Sequence, residues 1–386
     1  MSTLPFSRFE ITRFRGIRGL ALEGLGRINL LVGANNSGKT SVLEAMSLCL
    51  APLDPWTWIQ TAQRREPGIR PRRTNVERLR WLFPQAESDR EELYAGSIEI
   101  RQAGGGTIAR LHASYQELRG TPAEESLGKN GLEEDVESDV EGIPEEVETE
   151  IARRGARVDV SVMPTGPYFD APERSFIFWE NERFMSRERA GVSLPTAYVT
   201  PYDHWMRALP ASRFSEARRG GFEAEVVNLV RQLDDRILNV EVLAGRPSTS
   251  ALRNEASLYL RDRTSGLLPV EAFGDGFRRA LLMALSIPRA AGGGALFIDE
   301  IETAIHVSAL TKLFRWLVNA CHEHNVQLFV TTHSLEAIDA ILDADPTSEE
   351  DIVAYRLERV GEETKARRYG EDLLKRLRFE RGLEVR

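Results

Sequence analysis

Three nearly unbroken apolar runs stand out in the chain. They are "INLLV" at 28–32, "ALFI" at 295–298 and "LFV" at 328–330, and each reads as a buried strand. Other stretches alternate instead. "GSIEIRQAGGGTIARLHASY" alternates on both sides of three glycines and predicts a β-hairpin. "ARVDVSVM" and "RSFIFWE" predict two further strands, and residues 7–32 predict two short strands before a third. Helical spacing appears after residue 40, with Val42, Leu43, Met46 and Leu50 on one side. It returns in "GGFEAEVVNLVRQLDDRIL", where Phe222, Val226, Leu229, Val230 and Leu233 form a stripe. From about residue 255 buried strands and helices alternate. The segment from about 51 to 85 reads as irregular and arginine-rich, since "RREPGIRPRRTNVERLRWLF" holds seven arginines. No fixed-period repeat and no sustained heptads appear.

Composition changes this picture in three places. A chain of 386 residues has ample material for one large domain or two lobes. Its two cysteines, Cys49 and Cys321, cannot build a disulfide framework, so a reducing compartment is expected. The opening "MSTLPFSRFEITRF" has no apolar signal core, and no run reaches about 18 apolar residues. A cytoplasmic protein without a membrane partner is the expectation. The formal charge of −9 is concentrated at 124–150, where 12 acidic residues meet one lysine. The rest of the chain is close to neutral, so overall acidity does not argue against a nucleic-acid or acidic partner.

The chemistry begins where the first apolar run ends. Gly33-x-x-x-x-Gly38-Lys39-Thr40, followed by Ser41 and with Asn35, Asn36 and Ser37 in the turn, lies between a strand and a helix start. That context is what a phosphate-binding loop requires. Backbone N–H groups and the positive helix end surround a β-phosphate, Lys39 reaches the β/γ oxygens, and the Thr40 hydroxyl ligates Mg²⁺. The alternative is a glycine-rich turn with no ligand, which the flanking strand and helix disfavour.

The second half adds three elements in order. Gly274-Asp275-Gly276 opens an amphipathic helix and reads either as a second anion site or as an ordinary tight turn. Asp299-Glu300 closes the apolar run at 295–298, with Asp299 placed to hold Mg²⁺ through water and Glu300 to polarise an attacking water. His333 closes the run at 328–330 after Thr331-Thr332 and fits a γ-phosphate sensor better than a core residue. "CHEHN" at 321–325 hints at zinc, but with no second ligand pair it reads as a solvated turn.

This order resembles the ABC-class ATPases over roughly residues 7–50 and 265–340. "ITRFRGIRGLALEGLGRINLLVGANNSGKTSVLEA", "FGDGFRR", "IDEIETAIH" and "LFVTTHS" are similar to the RecF/SMC/OLD branch rather than to transporter subunits. The resemblance implies an α/β fold: an ABC-type P-loop NTPase core with an antiparallel β lobe and a helical, acidic insertion. As one domain over 1–386, the core would come from about 7–50 and 255–345. The lobe would be about 51–254, with the acidic segment at 124–150 and a C-terminal extension at 346–386.

The resemblance also implies ATP and Mg²⁺ as ligands, and a homodimer or higher oligomer with shared ATP sites. Gly274, Asp275 and Gly276 would touch the γ-phosphate held by another copy, and the segment around His306 would lie near the seam. The signature departs from LSGGQ, and Gln102 is offered as the Mg²⁺-sensing glutamine. Only 53 residues follow His333, too few for the TOPRIM nuclease of many OLD-type proteins. The chain is therefore expected to be a switch for a separately encoded, nuclease-like effector in anti-phage defence. A RecF-like repair ATPase that binds DNA through the arginines at 64–80 is the main rival, with a transporter subunit third. Those arginines read alternatively as a solvated loop or as a partner of the acidic insertion.

Overall fold

The computed structural model describes residues 4–66, 73–84, 94–105, 108–120, 153–164, 173–180, 193–206, 211–244, 256–344 and 351–385. The acidic segment at 124–150 lies outside the described residues, as does part of the arginine-rich stretch.

The first strands are β1 (Arg8–Phe14), β2 (Ile17–Glu23), β3 (Ile28–Val32), β4 (Ala95–Ala103), β5 (Ile108–Gly120), β6 (Arg153–Pro164), β7 (Glu173–Trp179) and β8 (Thr196–Val199). They are followed by β9 (Ile237–Leu243), β10 (Ser257–Asp262), β11 (Gly266–Pro269), β12 (Ala295–Ile298), β13 (Gln327–Thr331), β14 (Ile352–Val360) and β15 (Glu363–Gly370). The helices are α1 (Lys39–Cys49), α2 (Pro55–Gln63), α3 (Asn75–Arg80), α4 (Asp203–Met206), α5 (Ala211–Arg219) and α6 (Glu223–Leu233). Beyond these come α7 (Asp275–Ala284), α8 (Ile287–Ala290), α9 (Val307–Glu323), α10 (Leu335–Leu342) and α11 (Glu371–Lys375).

The three apolar runs lie side by side. One sheet has the order β15-β14-β3-β13-β12-β8, with every pair parallel except β14–β15. Parallel strands buried on both faces favour apolar residues at nearly every position, which explains the nearly unbroken runs. The two faces are separable residue by residue. Leu30, Val32, Leu296, Ile298, Leu328 and Val330 join one apolar cluster with α6, α7, α9 and α10. Leu31, Phe297 and Phe329 point the other way, into a cluster with α1 and the antiparallel sheet. Phe297 is fully buried there, stacked between Tyr198 and Phe329 with ring centroids at 6.1 and 5.4 Å.

The antiparallel sheet, β2-β1-β4-β5-β6-β7, keeps the alternation seen in its sequence, with Ile98 and Ile100 inside and Glu99 and Arg101 outward. β4 and β5 form the expected hairpin. A small third sheet, β11-β10-β9, packs beside α5.

Two local expectations are corrected. The described residues of 51–85 are not irregular: α2 starts at Pro55 behind an Asp54 cap, and α3 starts behind a Thr74–Glu77 capping box. The helix after Phe222 stops at Leu233 rather than running to 238, and Ile237 already begins β9. No helix among the described residues is long and apolar enough to cross a membrane.

Candidate nucleotide site

The loop after β3 has the backbone that close approach to a phosphate needs. Gly33 sits at φ 137°, and a Cβ there would lie 2.5 Å from the Leu357 carbonyl oxygen. Asn36 is left-handed at φ 62°, and Gly38 at φ 97° caps α1 without a side-chain hydrogen bond. The first N–H groups of an eleven-residue helix therefore face the loop. Asn35 and Asn36 are exposed, and Ser37 is buried. Lys39 Nζ donates to the carbonyls of Gly33 at 2.7 Å and Ala34 at 2.9 Å, folding over the loop. Burial lowers the Lys39 pKa, while the charges of Asp299, Glu300 and Glu302 oppose that shift.

β13 lies between β3 and β12, and its last residue joins their tips. Thr40 Oγ1 donates to Asp299 Oδ1 at 3.1 Å, and Thr331 Oγ1 donates to the same oxygen at 2.6 Å. Thr331 Oγ1 in turn accepts from the Glu300 N–H at 2.7 Å. Glu300 is held at φ 48°, a region that costs an ordinary residue free energy, and its carboxylate accepts from Thr303 Oγ1 at 3.2 Å. Asp299 is 6% exposed, and burial raises its pKa. A buried carboxylate beside a hydroxyl is a hard-oxygen pair suited to Mg²⁺, which would restore the anionic form. Thr40 and Asp299 would hold that ion, which when bound neutralises phosphate charge.

His333 stands two residues beyond β13. Its ring Nδ1 is 3.1 Å from Glu302 Oε1, and its backbone N–H donates to the same oxygen at 3.0 Å. The histidine is thus oriented by Glu302 rather than by Glu300.

Gly274 is the N-cap of α7 and faces open space; Asp275 is exposed and paired with Arg278. Gly276 is required by packing, because a Cβ there would meet the Ala304 carbonyl oxygen at 2.5 Å. One turn on, Arg279 is fully buried. It donates to the carbonyls of Thr200 at 2.8 Å, Asp299 at 2.8 Å and Glu300 at 2.7 Å. Burial pulls its pKa down to about 10. The exposed start of α7 is therefore tied through Arg279 to the back of the Asp299–Glu300 turn. His306 caps α9 by accepting from the Ser308 N–H.

Lys39, Thr40, Asp299 and Glu300 come together as the sequence indicates. Arg279, Thr331 and Glu302 were given no role there. Arg279 did leave a signal: it shares a stripe with Leu282, Met283 and Ser286, all buried, and a cation at such a position needs buried partners. Gln102 does not sit at the site. It faces Phe9 across β1–β4, five residues along β1 from Phe14, so roughly 17 Å of strand separates it from the β1–β2 turn. That turn is the part touching the loop, with Ile17 3.3 Å from the Cβ position of Gly38.

Comparison with known proteins bears on this geometry. A family model described as "AAA domain, putative AbiEii toxin, Type IV TA system" matches residues 187–339, and one described as a protein of unknown function matches 4–61. The chain is 21% identical over 336 residues to an ATP/GTP phosphatase of Helicobacter pylori, covering 86% of each. A stretch of 45 residues is 47% identical to the DNA replication and repair protein RecF of Acinetobacter baylyi, 12% of this chain and 13% of that protein. The chain is thus similar in part to AAA-domain proteins and to RecF, and its mixed α/β fold places a P-loop motif between β3 and α1. Among solved structures, an SMC head bound to the C-winged helix domain of ScpA aligns at TM-score 0.48 and 11% identity, over 95% of this chain and 98% of that one.

Two other stretches of the chain resolve differently from their sequence readings. The described arginines of 64–80 are engaged within the chain. Arg64 bonds Ser47 and lies over the Tyr198 ring at 3.8 Å, and Arg65 pairs with Glu44 at 2.7 Å. Arg73 and Arg78 share Glu66, and Arg80 pairs with Glu117. At 321–324, Cys321 is buried, His322 lies 3.4 Å from Asp351, and His324 lies 2.7 Å from Glu225. These residues end α9 instead of forming a solvated turn. Glu225, Glu323 and His324 do bring ligand atoms within 4.8 Å of one another, but the His324–Glu225 pair accounts for the contact.

Proposed function

We propose that the protein hydrolyses ATP with Mg²⁺ and uses the cycle as a switch. The observation that carries this reading is the linked set Thr40–Asp299–Thr331–Glu300, which brings a cation-binding pair and a candidate general base together at the start of α1 and the ends of β12 and β13. Lys39 and the start of α1 would bind the β- and γ-phosphates; Asn35, Asn36, Ser37 and Ser41 would line the loop. Glu300 would accept a proton from the attacking water, and His333, steadied by Glu302, would hydrogen-bond the γ-phosphate. The similarity to an ATP/GTP phosphatase supports nucleoside-triphosphate hydrolysis.

The exposed Gly274–Asp275–Gly276 helix start would act on the nucleotide of a second copy, so that the sites are shared. The partial match to a toxin-associated AAA family supports the finer reading, a switch over a separately encoded, nuclease-like effector in anti-phage defence. A RecF-like DNA-binding role is less supported, because the described arginines of 64–80 are paired internally.

Glu300→Gln should retain nucleotide and lose turnover by about a hundredfold or more, whereas Lys39→Ala should lose binding itself. Wild-type turnover in Glu300→Gln would remove Glu300 from the reaction. Asp275→Arg and Lys39→Ala should each be inactive alone and recover activity when mixed, since each supplies the half the other lacks. Heterodimers that form but stay inactive would argue against sharing.

A further inference from the structure

Beside the phosphate loop lies a cavity of about 500 Å³ whose walls are unusually basic. Arg15 and Arg18 enter from the β1–β2 turn, Arg65 from the end of α2, Arg73 and Arg78 from α3 and its approach, and Arg359 from the end of β14. One carboxylate, Glu66, shares the lining. Glu66 is already divided between Arg73 at 2.5 Å and Arg78 at 2.9 Å. Beneath the wall, fully buried Glu44 is divided between Arg15 and Arg65, each at 2.7 Å. The Arg18 side chain makes no hydrogen bond or ion pair among the described residues, and Arg359 meets the Gly361 carbonyl. Among the described residues, six guanidiniums therefore answer to two carboxylates.

A second observation points inward. Arg78 is only 6% exposed, yet its Nη2 has no hydrogen-bond partner. A buried donor left without a partner is costly, and a ligand oxygen would supply the missing bond. Burial is the main reason the Arg15 pKa falls to about 10, and the nearby Arg65 charge adds to that fall. The charge of an anion would oppose both effects, as that of Glu44 already does.

The charge excess also sets the ligand's chemistry. The base of a nucleotide held at Lys39 is uncharged and would leave the excess unanswered. Phosphate oxygens accept paired N–H groups from guanidinium forks, and the volume lies within the usual range for small-molecule sites. We propose that this cavity is a second anion site, separate from the phosphate loop, for a small ligand carrying a chain of phosphates. It stands whether or not the chain hydrolyses ATP, and it shares a wall with α1, since Arg65 Nη2 donates to Ser41 Oγ at 2.7 Å.

The full chain with Lys39→Ala, which disables the phosphate loop, should be titrated calorimetrically with inorganic tripolyphosphate. One site per chain is expected, and adding Arg18→Ala and Arg359→Ala should weaken it at least tenfold. Both positions lie outside the proposed hydrolytic machinery. A nucleoside tetraphosphate binding tighter than tripolyphosphate would assign the ligand as a nucleotide, and equal affinity would assign the phosphate chain alone; either supports the site. No binding to the Lys39→Ala chain, or binding indifferent to the two arginine changes, overturns it. So does a single-stranded oligonucleotide that binds where tripolyphosphate does not, since the cavity would then belong to a nucleic-acid track.

Discussion

The two six-stranded sheets use charge in opposite ways. At the tips of the parallel sheet, charged and polar groups are buried and bonded across strands distant in sequence: Asp299 to Thr40 and Thr331, and Arg279 to three carbonyls. On the outer face of the antiparallel sheet, charges pair with near neighbours in water, as Arg157 does with Asp159 and Arg101 with Glu99. Buried partners cannot be replaced by solvent, whereas exposed ones can. Identical residue types should therefore differ severalfold in worth between the two sheets.

The largest effect on stability is expected at Arg279. Arg279→Ala strands three carbonyls behind the site and should cost about 3 kcal/mol in chemical denaturation, with turnover falling too. A loss under about 0.5 kcal/mol would erase the distinction between the sheets.

A smaller effect of opposite sign is expected at Asp299. Because folding raises this carboxyl's pKa, the proton is held more tightly in the folded chain, and stability is lost as pH climbs from the ordinary value of 3.8 through the raised one. Asp299→Asn removes that loss. The nucleotide-free variant should melt roughly 2 °C higher at pH 7, match the parent near pH 3.5, and lose Mg²⁺-dependent turnover. A melting temperature that falls at neutral pH would mean the carboxylate is already compensated.

The smallest effect belongs to the outer pair. Replacing Arg157 and Asp159 by alanine together should change stability by less than about 0.5 kcal/mol and fade further in high salt.

Much of the frame was legible because the parallel sheet imposes a local rule. Strands covered on both faces are apolar at most positions, and β3, β12 and β13 announce themselves on that ground. The turn residues Gly33, Gly38 and Asp299-Glu300 then follow at the strand ends. Neighbour order was not legible: nothing in "LFVTTHS" says that β13 lies between β3 and β12, and Thr331 acquires its two bonds only from that placement. Arg279 and Glu302 depend on the same long-range register. The helices α2 and α3 were hidden for another reason. Arginine density suggested a solvated loop, although the Thr74–Glu77 capping pattern was present and Glu44, Glu66 and Glu117 were available as partners.

The two cysteines carry a practical consequence. Cys49 on α1 and Cys321 on α9 are both buried, and burial raises both thiol pKa values, so little reactive thiolate forms near neutral pH. The native chain should thus be nearly silent toward maleimide dyes. A cysteine introduced at an exposed position such as Trp205 beside α7 would take the label almost alone, giving a fluorescent reporter on a background that needs no prior removal of thiols.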